Sequence, residues 1–144
     1  MNRLLLSVLA ASLSYPAFAR DDVNTFPIKD ALENAAAQSK LDKDVKLFFG
    51  AQKHPKPAKT LGEWKTNKKT NAFGKSDKEA CEWVFLGAVL ELQERAKKEG
   101  GDAVVAIKSN YKNHEHSSEA NYTCGAGALM AGVALKGTVV KLSN

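Results

Sequence analysis

The strongest pattern of hydrophobic and polar positions lies between residues 76 and 99. Ser76 followed by Glu79 is typical of a helix start, because the serine caps the first turn and the glutamate reaches back to it. Gly100 and Gly101 supply the left-handed stop that a side chain resists. Apolar residues recur between these signals on one helical face, namely Cys81, Val84, Phe85, Ala88, Leu92 and Ala96. The pattern predicts one long helix over 76–99.

A second apolar row on this helix, formed by Trp83, Leu86 and Leu90, faces away from the first row. It needs its own cover, which is either another part of this chain or a partner chain. Residues 28–39 offer such a cover, because this alanine-rich stretch has apolar positions at helical spacing and predicts a short N-terminal helix. We expect this helix to pack on the second row.

Segments typical of strands surround the two helices and are rich in β-branched and aromatic residues. A polar turn is predicted over 67–75, where glycine and polar side chains interrupt the pattern. The predicted strands are 44–50, the region around 60–66, 102–112, 120–135 and 137–142. The predicted fold class is α+β, with a mixed or antiparallel sheet packed on one long helix and a short N-terminal helix.

Residues 1–19 have the pattern of a secretory signal peptide. An apolar run over residues 4–13 follows Arg3, and small residues end the segment at Ala19. The run is too short for a membrane-spanning helix, which needs about 20 apolar residues. We predict cleavage after Ala19 and export of a single domain, residues 20–144, to the periplasm or extracellular space. The mature chain has no second apolar run, so no transmembrane segment is predicted.

The sequence contains two cysteines, Cys81 and Cys124. In an oxidising compartment an even pair is most simply a disulfide. Closing a loop of about 44 residues removes unfolded-chain entropy worth roughly 4 kcal/mol in the standard loop model. Two free thiols or a metal thiolate are the alternatives.

The charge of the chain is positive and uneven. There are 21 Lys and Arg residues against 16 Asp and Glu residues, a net charge of +5. The segment 53–78 holds eight of the lysines and only Glu63 and Asp77 as acids. Such a run is typical of solvated surface, and contact with an acidic envelope surface or partner is the alternative. Nucleic acid is disfavoured as a partner, because only Arg20 and Arg95 remain to bind phosphate groups with two-pronged hydrogen bonds.

The best candidate surfaces for a protein partner are the apolar surroundings of the two tryptophans and the lysine-rich segment. The candidate interaction residues are Trp64, Trp83, Lys65, Lys68 and Lys69. We expect the partner to be a protein of the cell envelope.

The stretch NHEHSSEANYTC contains candidate metal ligands. In an extended strand His114 and His116 point to the same side and can chelate a divalent metal. A structural zinc usually takes four ligands, so Glu119, His54 or an unpaired Cys124 would have to contribute. The alternative is a polar hairpin loop with exposed imidazoles. The only cofactor that the sequence suggests is therefore a weakly bound divalent metal.

Motifs for catalysis and nucleotide binding are missing from the sequence. There is no G-x-S-x-G elbow and no H-E-x-x-H motif. Gly74, Lys75 and Ser76 imitate the end of a phosphate-binding loop, but Lys69 stands where that loop requires glycine. A small hydrolase or thiol enzyme would need an unpaired, reactive cysteine. We therefore predict a non-enzymatic protein that binds no nucleotide.

The segments LQERAKKEGGDAVVAIKS and YTCGAGALMAGVALKGTVVKL resemble small exported bacterial proteins that carry the label "excinuclease ABC, ATPase subunit". The resemblance covers nearly the whole mature chain. It does not imply a DNA-repair ATPase, because such an enzyme needs nucleotide-binding loops, signature motifs and zinc cysteines in a far longer cytoplasmic chain.

The DAVVAIKS strand and the helix before it also resemble the small domain of YbjQ-type proteins and of the outer-membrane lipoprotein that senses envelope stress in the Rcs pathway. This resemblance covers the C-terminal half and implies a non-enzymatic fold used for interactions. The chain has no lipid-bearing cysteine, so membrane tethering and signalling do not carry over. The function predicted is an exported, disulfide-stabilised binding or structural module of the bacterial cell envelope, with a metal-binding module as the alternative.

Overall fold

The computed structural model describes residues 20–143, so the predicted signal peptide lies outside the described residues. The described part contains seven strands and three helices. In chain order they are β1 (Asp22–Pro27), α1 (Ile28–Glu33), α2 (Ala35–Lys40), β2 (Lys46–Phe49), β3 (Lys59–Asn71), α3 (Asp77–Lys98), β4 (Ala103–Tyr111), β5 (His114–His116), β6 (Asn121–Ala126) and β7 (Met130–Lys141).

The seven strands form one curled, mixed sheet. Its main path is β1-β6-β7-β4-β2, while β3 pairs with the other edge of β7 and β5 pairs with β4. The β2–β4 pair is parallel and all the other pairs are antiparallel. β7 is central, because it pairs with β3 along its whole length and with β6 and then β4 on its opposite edge.

The predicted fold class, α+β with a sheet packed on one long helix, is wrong. Strands hold 43% of the described residues and helices 27%, and only α3 has more than six residues. β1 and β5 lie in polar stretches that the sequence analysis did not predict as strands, and β3 continues to Asn71 through the predicted polar turn. Pairing with β7 holds this polar segment extended, because strand propensity is weaker than the context that a neighbouring strand provides.

The prediction for the long helix is confirmed in its bounds and its caps. The Ser76 hydroxyl accepts a hydrogen bond of 3.1 Å from the backbone N–H of Glu79. At the other end, Gly100 has a φ of +80° and its N–H bonds to the carbonyl of Lys97. The predicted core stripe is buried throughout, with every member at most 2% exposed: Cys81, Val84, Phe85, Ala88, Leu92 and Ala96.

The predicted N-terminal helix is present as two short helices that meet at Asn34. Ile28, Ala31 and Leu32 of α1 join the same buried cluster as Leu86 of α3. The second apolar row of α3 is therefore covered in part by α1, as the sequence analysis expected.

The predicted disulfide is confirmed. Cys81 of α3 and Cys124 of β6 are bonded with a Cα–Cα distance of 6.0 Å, and both residues are fully buried. The bond joins the longest helix to the sheet beside the stacked rings of Phe85 and Tyr122, whose centroids are 3.9 Å apart. Across residues 20–143, no helix combines the length and apolar character that crossing a membrane requires.

Candidate functional site

A groove between the N-terminal helices and α3 surrounds the side chain of Trp83. This residue is 52% exposed, and the Nζ atom of Lys40 lies 5.6 Å from the centroid of its ring. The groove encloses about 300 Å³ and is lined by Ala31, Asn34, Ala36, Lys75, Glu79, Glu82, Trp83 and Leu86. A large aromatic side chain with half of its surface in water is a typical anchor for a protein partner.

Asn34 shapes one wall of the groove because it serves both of the helices that meet there. Its Oδ1 atom accepts a hydrogen bond from the N–H of Ala37 at the start of α2. Its Nδ2 atom donates to the carbonyls of Asp30 and Ala31 at the end of α1, each at 3.1 Å. The backbone groups left free at the break between the helices are thus paired, and the break is stable.

The rim of the groove carries carboxylates. Lys78 forms ion pairs with Glu82 and, at 3.1 Å, with Asp30. The pKa of Lys78 is raised, first by the hydrogen bond to Glu82 and then by the one to Asp30. Glu79, which also lines the groove, makes no ion pair with any residue in the described part of the chain. A basic group of a partner would find an unpaired negative charge here.

The second tryptophan, Trp64, is engaged inside the molecule. The guanidinium carbon of Arg95 lies 5.6 Å from its ring centroid. On the other side the ring folds back over Gly62, where an added Cβ would stand 2.9 Å from the indole. Trp64 is half-buried as a result, so it supports the packing of β3 on α3 more than it offers a free surface.

The candidate lysines Lys65, Lys68 and Lys69 lie with Trp64 on one strand, β3, and all three are exposed. Lys68 forms an ion pair of 2.9 Å with Glu91 of α3. Lys65 and Lys69 form no ion pair within residues 20–143. The structure therefore brings four of the five predicted interaction residues together on β3 and places Trp83 apart from them, in the groove.

The predicted metal ligands His114 and His116 lie on the three-residue strand β5 and are exposed. Glu119 is exposed in the following loop, and Cys124 is committed to the disulfide. Among the described residues, no group of three or more His, Cys, Asp or Glu side chains is arranged to hold a metal. The two-histidine metal site stays a prediction.

Between the two histidines, Glu115 belongs to a lysine network on the outer face of the sheet. Its carboxylate lies 2.6 Å from the Nζ of Lys136 and 3.2 Å from that of Lys108. The hydrogen bonds from Lys136 and then Lys108 hold the pKa of Glu115 below its usual value. The network ties β5 to β4 and β7 and is a structural role that the sequence did not reveal.

Sequence reasoning also missed an exposed apolar cluster where β3 ends and β7 begins. Asn71 and Met130 are partners in the ladder, and the N–H of Ala72 bonds to the carbonyl of Leu129. Phe73, Leu129 and Met130 are exposed around this point. The sequence offered no signal for it, because Phe73 stood in a predicted polar turn and the other two residues in a predicted buried strand.

No protein-family model matches the chain, and neither a curated protein nor a solved structure is significantly similar to it. The resemblances noted from the sequence therefore stay predictions. The groove at Trp83 and the lysine-bearing strand β3 are the surfaces from which a function can be proposed.

Proposed function

We propose that this protein is an exported, non-enzymatic binding module of the bacterial cell envelope, and that it holds a protein partner in the groove beside Trp83. The observation that carries the proposal is the half-exposed Trp83 in an apolar recess of about 300 Å³. This volume is at the lower end of the roughly 300–1,000 Å³ typical of small-molecule sites, and it suits one large side chain of a partner. Tryptophan is among the residues that most often dominate the energy of protein interfaces.

The chemistry of the rim defines the partner further. Ala31, Ala36 and Leu86 provide the apolar lining, while Glu79 and Glu82 add carboxylates beside it. The complementary ligand is a protein segment that presents a large apolar side chain next to Lys or Arg. Charges at such a rim act mainly on association rate and specificity, and the buried anchor supplies most of the affinity.

Two further observations support the parts of the proposal that concern export and the absence of catalysis. The disulfide between Cys81 and Cys124 suits an oxidising compartment outside the cytoplasm, as does the signal-like pattern of residues 1–19. Both cysteines are consumed by that bond, so neither thiol is available as a nucleophile.

The proposal is tested by capturing the partner from the groove itself. A photo-reactive amino acid replaces Ala36, which is exposed and lines the groove, in the full chain expressed in its own cells. A cross-linked protein is identified and purified, and its affinity is measured by calorimetry. Trp83→Ala is expected to weaken binding about 30-fold, which corresponds to a hot-spot loss of about 2 kcal/mol.

The matched control is Leu129→Ala, which removes a large exposed apolar side chain from a different surface. We expect it to change the affinity less than about twofold, since surface contacts outside an interface contribute little. Thermal melting of each variant verifies that it is folded. If Ala36 cross-links nothing, or if Trp83→Ala binds the captured partner as tightly as the unchanged protein, the proposal is wrong.

A further inference from the structure

The lysine-rich segment of the sequence coincides with a free edge of the sheet. β3 pairs with β7 along one side, and no strand within residues 20–143 pairs with its other side. In an antiparallel pair, successive residues turn their N–H and C=O groups alternately toward and away from the neighbouring strand. Every second residue of β3 therefore presents an unpaired donor and acceptor to the solvent, as edge strands do.

The straight part of this edge runs from Glu63 to Asn71. The register with β7 shifts between Thr60 and Gly62, and Gly62 has a φ of +135°. Such a bulge ends regular pairing on the free side as well. Beyond it, the ladder from Glu63 to Asn71 is regular and gives a partner strand about nine residues to pair with, or roughly 30 Å.

The charge on this edge selects the partner. β3 carries Lys59, Lys65, Lys68 and Lys69 against a single acid, Glu63. Glu63 is already paired with Lys136 at 3.3 Å, and Lys68 is paired with Glu91. Lys65 and Lys69 are left without an acidic neighbour in the described part of the chain. Four residues apart on a strand, they lie on the same face about 13 Å from each other.

These lysines also argue against a second copy of the chain as the occupant of the edge. Pairing β3 with its own copy would set lysines opposite or diagonal to lysines, and like charges across a strand pair are destabilising. Lysine on an edge is a known device against self-association. An extended segment with acidic side chains meets the opposite situation, because each of its carboxylates can face a lysine that has no other partner.

We propose that the free edge of β3, over Glu63–Asn71, binds an extended acidic polypeptide segment as an additional strand of the sheet. The backbone groups of the edge provide the hydrogen bonds, while Lys65 and Lys69 select for carboxylates on one face of the added strand. This site is separate from the groove at Trp83, so either proposal can fail without the other.

The experiment uses the full protein and a nine-residue probe peptide in which Val and Glu alternate, with capped ends. Binding is measured by calorimetry, and protection of the backbone amides is measured by hydrogen exchange. We expect the peptide to slow the exchange of alternate amides within Glu63–Asn71. The same peptide with Lys in place of Glu, or with every amide N-methylated, is expected to bind at least about tenfold more weakly, because it loses either the charge match or the backbone donors.

Two double variants separate the edge from the general positive charge of the segment. Lys65→Glu with Lys69→Glu is expected to weaken binding of the acidic peptide about tenfold, since two attractions become repulsions. Lys53→Glu with Lys56→Glu makes the same change of charge on the exposed loop before β3, and an effect of less than about twofold is expected there.

Several results would overturn the inference. Equal weakening by the two double variants would mean that the peptide senses only diffuse charge. Full binding of the N-methylated peptide, or displacement of the acidic peptide by an equal charge of oligonucleotide, would exclude strand addition. Protection of the alternate amides that grows with protein concentration, with no peptide present, would show that a second copy occupies the edge.

Discussion

Two adjacent glycines end α3, and each is required for a different reason. Gly100 has a φ of +80° with open space around it, so its requirement is conformational. Gly101 has no such φ, but an added Cβ would lie 2.6 Å from the Cγ1 of Val139 and 2.9 Å from the carbonyl oxygen of Val140. The first requirement is local and was predicted from the sequence. The second comes from the approach of β7, which no local pattern reveals.

A second feature at this scale is a buried hydroxyl without a partner. Tyr122 is 1% exposed and its ring stacks on Phe85, yet its hydroxyl makes no hydrogen bond among the described residues. Burial raises the pKa of this phenol above its ordinary value. An unpaired buried polar group lowers stability relative to an apolar replacement of the same shape.

Tyr122→Phe is therefore expected to raise the free energy of unfolding by about 1 kcal/mol, because it removes the unpaired hydroxyl and keeps the ring. Chemical denaturation of the two proteins measures the difference. Tyr111→Phe is the matched control: its hydroxyl donates to Asp21 at 3.0 Å, so no gain is expected from removing it. A loss of stability in Tyr122→Phe would contradict the expectation and would mean that the hydroxyl has a partner in solution.

At the scale of elements, α3 was predictable and β3 was not. The caps of α3 and the spacing of its apolar face are local, so they can be recognised in a single segment. β3 has exposed, polar side chains over most of its length and few residues that favour strands. It is extended because β7 lies beside it, and the choice of β7 as a neighbour depends on residues some sixty positions away.

The junction between α3 and the sheet depends on a charged group. The Oδ1 atom of Asp102 accepts a hydrogen bond of 2.7 Å from the N–H of Leu142, just beyond β7, and the N–H of Asp102 bonds to the carbonyl of Val140. The pKa of Asp102 is lowered, first by the backbone hydrogen bond from Leu142, because that bond favours the charged carboxylate. Its side chain thus fastens the last strand to the turn after the helix.

A lowered pKa in the folded state means that the stability contributed by Asp102 is present above its unfolded pKa of about 4 and is lost as the pH falls below that value. We expect the melting temperature of the unchanged protein to fall between about pH 5 and pH 2, and Asp102→Asn to flatten part of that fall. Asp22→Asn, at an exposed aspartate on β1, is the control and should leave the profile unchanged. Equal pH profiles for the unchanged protein and Asp102→Asn would exclude this role for the carboxylate.

For the whole molecule, the covalent link between α3 and β6 is the feature most accessible to experiment. Cys81 and Cys124 are 43 positions apart and meet in the core. That they form a pair followed from their number and the expected compartment. That the bond lies beside Phe85 and Tyr122 depends on how the sheet curls around the helix, which the sequence did not show.

Removing the disulfide is expected to lower the free energy of unfolding by about 4 kcal/mol, the loop-entropy value for a separation of this size. Chemical denaturation of Cys81→Ala with Cys124→Ala measures this loss. The unchanged protein in a strong reductant should approach the same stability, and the reductant should have no effect on the double variant. A double variant as stable as the unchanged protein would show that the link adds nothing to the folded state.

The sequence alone determined the features whose causes are close together in the chain: the bounds and caps of α3, its buried stripe, the short N-terminal helices and the presence of a cysteine pair. Tertiary structure decided the rest. It made the fold mainly sheet, turned a polar lysine-rich stretch into the edge strand β3, and opened a groove at Trp83. The physical reason is that a helix satisfies its backbone within one segment, whereas a strand satisfies its backbone only through a neighbour from elsewhere in the chain.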